Sequence, residues 1–173
     1  MYERFLPSFK VVEINNSTAH RIGHAISQVP CYKAGIAHVT VNEKYDFIEN
    51  GTIVGLSADG ELRLENYNPE KHSQPCLVYN DELITGPIDT LDKYAEEMVD
   101  GKAYVRALPL YLGDSFTTDN YSGVMAEGYA VVDGGHLVKG DAGMFYAKEA
   151  TLPNGKKAFE FTYIGLPMAE AAE

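Results

Sequence analysis

His20 and His24 have the i, i+4 spacing that puts two imidazoles on one face of a helix. Zinc proteases use that spacing with a glutamate after the first histidine as the base. Here Arg21 takes that place and Ile22-Gly23 disfavours a helix, so a solvated loop is expected. Asp133-Gly134-Gly135-His136 and Gly140-Asp141-Ala142-Gly143 set acids beside flexible backbone. That suits a metal or carbohydrate loop, and it equally suits a β-turn, where Asp and Gly dominate for backbone reasons. Glu96-Glu97 and Glu82 read as a solvated helix face and a turn rather than a paired acid and base. No G-x-S-x-G elbow, P-loop or G-x-G-x-x-G assembles the Ser, His and Asp residues into a site. No catalytic, metal-binding or cofactor-binding residue is assigned, and no cofactor is expected. Asn50-Gly51-Thr52 and Asn16-Ser17-Thr18 match glycan acceptors, but without a secretory route the match is idle.

The elements that would position any such residues are β-strands. Asn50-Gly51 and Asp59-Gly60 are each flanked by short β-branched or alternating apolar runs between Phe47 and Leu64. Both dipeptides tolerate the positive φ of tight hairpin turns, so the segment reads as a β-meander. Further strands are expected at Ala34–Val41, Cys76–Tyr79, Ala103–Leu112, Ser115–Thr118, Gly128–Val132, Gly143–Ala147 and Lys157–Ile164. Pro109 marks an edge or bend, and Asn154-Gly155 is another hairpin signal. One segment reads as helix. Leu91, Tyr94, Ala95 and Met98 fall at i, i+3, i+4 and i+7, with Asp89 or Thr90 as N-cap and Gly101 at C′. The expected fold is therefore mainly β: a small β-barrel or β-sandwich of short antiparallel strands, with one short helix at about 90–99. Ile53, Val54, Leu56, Leu62, Leu64, Val105, Leu108, Phe116, Val131 and Phe161 are its expected core.

At 173 residues the chain is one domain, or one domain with an arm. Residues 1–30 read as an extended N-terminal arm that packs on the domain or on a neighbour, the other possibility being a poorly ordered terminus. Residues 31–167 form the β-rich domain, and 168–173 a frayed acidic tail. A formal charge of −11 with scattered Lys and Arg argues against nucleic-acid binding. No apolar run approaches the ~20 residues of a membrane helix. The first residues have no uninterrupted apolar core before Pro7, so synthesis and solubility in the cytoplasm are expected. Cys31 and Cys76 sit in no C-x-x-C or His cluster. One disulfide stays open, and two ordinary buried thiols is the preferred reading.

Two stretches carry a resemblance. Phe47-Ile-Glu-Asn-Gly-Thr-Ile-Val-Gly-Leu56 and Tyr104-Val-Arg-Ala-Leu-Pro-Leu-Tyr-Leu-Gly-Asp-Ser-Phe-Thr-Thr-Asp119 resemble small accessory proteins of tailed-bacteriophage heads, of the head-decoration or head-fibre type. The resemblance covers about a third of the chain and rests on turn and strand residues. It implies a non-enzymatic virion protein, often a homotrimer, made in the host cytoplasm and bound to the major capsid protein on the capsid exterior. It offers no catalytic residues. Phe5, Leu6, Phe9, Val11 and Val12 give the arm apolar anchors for a capsid or sister-subunit contact. The alternative is a carbohydrate-binding or adhesin-like β module, which would need exposed aromatics. Tyr67, Tyr79 and Tyr121 are the candidates.

Overall fold

Short apolar runs cut by glycine turns produce strands too brief to be stable alone, and they gain stability by sharing sheets. A computed structural model describes residues 9–15, 24–80, 95–153 and 155–169. In chain order the strands are β1 (Val12–Ile14), β2 (Pro30–Tyr32), β3 (Val39–Val41), β4 (Tyr45–Glu49), β5 (Ile53–Ser57), β6 (Arg63–Asn66) and β7 (Cys76–Val78). They continue as β8 (Ala95–Met98), β9 (Lys102–Tyr104), β10 (Ala107–Pro109), β11 (Ser115–Thr118), β12 (Gly128–Asp133), β13 (His136–Lys139), β14 (Ala142–Thr151) and β15 (Lys157–Ala169). A 3₁₀ turn at Lys33–Gly35 follows β2. No helix among the described residues is long and apolar enough to cross a membrane.

The first sheet has the order β1-β11-β15-β14-β12-β13, and the second β10-β7-β5-β6-β2-β9. A third, β3-β4-β8, continues from the second through the tight turn between β8 and β9. The second and third sheets together enclose one core, which includes Cys31, Ile48, Val54, Leu64, Met98 and Val105. The first sheet packs Phe116, Phe145, Phe159 and Phe161 against Ile53, Leu77 and Leu110 to make another. The fold is thus mainly β, in the barrel-and-sandwich class, with two cores that share the second sheet between them.

The pleat explains the sharing. Successive side chains of a strand point to opposite faces. Ile53 pairs with Leu77 and faces one core, while Val54 pairs with Cys76 and faces the other. All four are 3% exposed or less. Strands covered on both faces read as unbroken apolar runs, which is what Ile53-Val54 and Cys76-Leu77-Val78 are.

Several expectations change. Asn50-Gly51 is not a hairpin turn, because β4 pairs with β3 and β8 while β5 pairs with β6 and β7. It is a corner where the chain leaves one sheet for another, and only Asp59-Gly60 closes a hairpin in that stretch. The second half of the expected helix is strand β8, which pairs with β4 from Asp46↔Met98 to Glu49↔Ala95. Asp100 and Gly101 have φ of 53° and 73° and form the two-residue turn into β9. The glycine read as a helix C′ is a hairpin glycine, and residues 90–94 lie outside the described set. The inward and outward faces survive the change, since Met98 is buried and Glu97 exposed.

Of the expected core, Ile53, Val54, Leu64, Val105, Leu108, Phe116 and Phe161 are at most 1% exposed. Val131 is only half-buried. Leu56 and Leu62 are 41% and 49% exposed. They lie toward the tip of the β5–β6 hairpin, where β7 no longer runs alongside, its pairing with β5 ending at Ile53 and Val54. The described part of the N-terminal segment packs on its own domain. Val12 is buried in the first-sheet core, and the Phe9 ring lies 5.0 Å from that of Phe47.

Truncation of a core side chain shared through this sheet should be costly. Leu77→Ala is expected to lower unfolding stability by about 2–5 kcal/mol in urea titration, and Leu62→Ala by less than about 1 kcal/mol. Met98→Asp should destabilise the protein strongly while Glu97→Lys stays near neutral. Equal effects within either pair would contradict the assigned faces.

Candidate functional site

The corner at Asn50 draws together most of the buried polar side chains. Gly51 adopts φ 87°, and a Cβ there would lie 2.8 Å from both Asn120 Cβ and Thr118 Oγ1, so only glycine fits. The Gly51 N–H donates to Val78 O, and the Val78 N–H donates back to Thr52 O. Thr52 Oγ1 donates to Glu49 O at 2.8 Å, closing the turn on itself.

Three asparagines then cross-link the elements. The Asn80 N–H donates to Asn50 Oδ1 at 2.8 Å, and Asn120 Nδ2 donates to Asn50 O at 2.7 Å. Asn80 Oδ1 accepts the Arg106 N–H at 3.0 Å, tying in the approach to β10. Asn80 Nδ2 meets no partner among the described residues. His136 Nδ1 lies 3.1 Å from Asn120 Oδ1. That oxygen can only accept, so Nδ1 carries the proton. The same cluster grips the N-terminal segment. Glu49 Oε2 accepts the Lys10 N–H at 2.7 Å, Asp119 Oδ1 accepts the Val11 N–H at 2.8 Å, and Thr118 Oγ1 donates to Val11 O at 2.7 Å. These side chains substitute for a sheet ladder where the chain turns between sheets, since buried backbone groups need partners.

A second polar centre lies on β6. The His72 side chain is 1% exposed, and its Nε2 lies 3.1 Å from Glu65 Oε1. Its Nδ1 accepts the Asn68 N–H at 2.9 Å, so Nε2 carries the proton and donates to the carboxylate. The other Glu65 oxygen accepts from Arg63 Nε at 3.1 Å. The histidine resembles a general base held by a carboxylate, yet both ring nitrogens are occupied. Its role is to pin the 67–72 loop onto β5, where Gly55 leaves room for the ring. A Cβ on Gly55 would overlap it.

The residues singled out in the sequence fare differently. His24 is exposed and His20 lies outside the described residues. Asp133-Gly134-Gly135-His136 is a hairpin turn, with φ of 57° and 83° at its glycines. Gly143 lies at a β-bulge against Ala130. No group of three or more His, Cys, Asp or Glu residues among those described could hold a metal ion. Glu96 and Glu97 lie on β8, and Glu82 is outside the described residues. Asn50, a match to a glycan acceptor, is 1% exposed. Cys31 and Cys76 are free and buried, and burial pushes each thiol up to about 12, which keeps them protonated and unreactive.

Tyr67 is 5% exposed, so it cannot be an exposed stacking platform. Tyr79 and Tyr121 are half-buried against the same core. Of the proposed contact residues, Phe9 and Val12 are buried within the chain and Val11 is half-buried, while Phe5 and Leu6 are outside the described residues. The structure therefore brings Val11 and Val12 to the asparagine cluster. Nothing in the periodicity pointed to that cluster. Its one visible signal was the polar Glu49-Asn50-Gly51-Thr52 between two apolar runs. Comparison of the chain with known protein families, curated proteins and solved structures finds no match.

Burial holds the His136 imidazole below its ordinary value of 6.5. Nearby Glu49 opposes that shift and Lys10 adds to it. The unfolded chain binds the proton more readily, so the stability this neutral ring contributes is complete above about pH 6.5 and is lost as pH falls toward the folded value. Chemical denaturation at stepped pH should show this decline, and His136→Phe should reduce it. Asn50→Ala, which strands the Asn80 N–H, should cost about 1–3 kcal/mol in the same measurement.

Proposed function

We propose that this chain is a non-enzymatic structural protein of a tailed-phage head, bound to the major capsid protein on the capsid exterior as a homo-oligomer, most simply a trimer. The observation that carries this reading is the use of the buried polar groups. Asn50, Asn80, Thr118, Asn120 and His72 each bond to main chain, and Glu65 holds His72 in place. They act as joints in a rigid β body rather than as a converging reactive set. The resemblance at residues 47–56 and 104–119 supports the same reading, and both stretches are framework here. The first is the β4 corner and the start of β5. The second runs through β10 and β11.

The second stretch also supplies a contact surface. Between β10 and β11 the chain turns at Tyr111–Asp114. Asp114 Oδ2 accepts the Tyr111 N–H at 2.7 Å and the Asp114 N–H donates back to Tyr111 O. This rigid turn leaves Tyr111 55% and Leu112 72% exposed. Apolar side chains held outward by a fixed turn lose little entropy when a partner covers them. Many weak contacts of this kind, repeated over a lattice, add up by multivalency.

Capsid co-sedimentation tests the proposal. The full chain should sediment with its acceptor capsids and give an oligomeric mass in light scattering. Leu112→Ser should cut co-sedimentation several-fold at unchanged melting temperature. Deleting residues 2–8, which removes Phe5 and Leu6, should weaken association and leave the body folded. Deleting residues 2–14 removes buried Phe9 and Val12 as well and should lower the melting temperature. A monomer that ignores capsids and turns over a substrate would overturn the proposal.

A further inference from the structure

We propose that the depression between the β6–β7 loop and the β12–β13 turn binds a short saccharide through its hydroxyl groups. The depression measures about 440 Å³ and is lined by Glu65, Asn66, Asn68, Lys71, Asp133 and Gly134 among others. Small-ligand sites span roughly 300–1,000 Å³.

Its walls are fixed before any ligand arrives. His72 pins the 67–72 loop through Asn68 and Glu65. The His72 and Lys71 N–H groups donate to Asn68 O at 2.9 Å and 3.0 Å, which closes a turn of the loop. On the opposite side the Ile53 N–H donates to Gly135 O at 2.8 Å, holding the β12–β13 turn against β5.

The same bonds set the polar groups that remain. Asn66 Oδ1 accepts the Ala37 N–H at 2.8 Å, and Asn68 Oδ1 accepts the Glu70 N–H at 2.9 Å. Those bonds occupy the two side-chain oxygens, and neither Nδ2 makes a hydrogen bond among the described residues. The Lys71 ammonium and Asp133 carboxylate make no ion pair among those residues. Glu65 is already engaged by His72 and Arg63. What remains is two amide donors, one ammonium and one carboxylate acceptor along one rigid depression.

A sugar hydroxyl accepts and donates at the same oxygen, so neighbouring hydroxyls can use this mixture. An anion would face the Asp133 and Glu65 carboxylates. An apolar ligand would find mainly polar walls. Tyr67 also lines the depression, but it is 5% exposed and offers no open ring face for stacking. Affinity then rests on hydrogen bonds that compete with water, and the expected Kd is on the order of 1 mM.

Saturation-transfer NMR on the full chain reads such affinities. The probes are glucose, galactose, mannose, N-acetylglucosamine and their α- and β-linked disaccharides, each at several millimolar. At least one should give transfer. Lys71→Ala and Asp133→Ala should each reduce it more than fivefold at unchanged melting temperature, because both side chains are exposed. Lys102→Ala, on strand β9 and outside the depression, should leave it intact. No transfer from any probe, or transfer that survives both substitutions, overturns the proposal. Its failure is separate from that of the capsid reading, because neither substitution touches the Tyr111–Asp114 turn and both variants should still sediment with capsids.

Discussion

Ile53 and Val54 are adjacent in sequence and belong to different cores, and the rest of the structure depends on that division. Ile53 packs with Leu77 under the phenylalanines of the first sheet, while Val54 packs with Cys76 in the core of the second and third sheets. Burying each such side chain is worth roughly 1.5–3 kcal/mol. The paired strands β5 and β7 collect that gain on both faces. Strands of five and three residues would otherwise be marginal. Neither core is closed without them. A defect in this pair reaches both cores, whereas a defect at the Leu62 hairpin tip stays local.

An arrangement with two cores needs the chain to leave one sheet and enter another without stranding backbone groups. The asparagine cluster meets that need at the Asn50 corner. Carboxamides suit it because each carries an acceptor and donors on a short side chain. Asn120 donates to main chain and accepts from His136, while Asn50 and Asn80 accept main-chain N–H groups. Glu49, Thr118 and Asp119 extend the same service to residues 10 and 11. The first strand is therefore an integral edge, seated by specific acceptors and by the burial of Val12. The His72–Glu65 pair does the equivalent task for the 67–72 loop. A histidine and carboxylate at this distance invite a catalytic reading, and it is the occupancy of Nδ1 by the Asn68 amide that decides against it.

Legibility in the sequence followed the range of the interaction. Ser115–Thr118 was readable to the residue, and Asp59-Gly60 and Gly155 lie in real hairpins, because turn chemistry and alternation are local signals. Asn50-Gly51 carries the same dipeptide signal and forms a corner instead. The dipeptide specifies positive φ at Gly51 and says nothing of which strands pair afterwards. Asp100-Gly101 failed in the opposite direction. Leu91, Tyr94, Ala95 and Met98 have helical spacing, so the glycine looked like a helix end. In Ala95–Met98 the pairing with β4 overrides that local preference. The buried asparagines were beyond reach, because the main-chain groups their side chains bond lie 26 to 70 residues away. The exposed pair Tyr111 and Leu112 fell inside an expected strand, where a turn held by Asp114 interrupts it.

The β5–β7 pair, buried on both faces, should be the last part of the molecule to open. Native-state hydrogen exchange followed residue by residue in increasing denaturant tests this most directly. The Ile53, Val54, Leu77 and Val78 amides should exchange only through global unfolding, with opening energies equal to the stability from denaturant titration. Amides of the edge strands β1 and β13 should open earlier. Exchange of β5 and β7 as fast as these edges, with the two cores opening at separate energies, would contradict a shared central sheet.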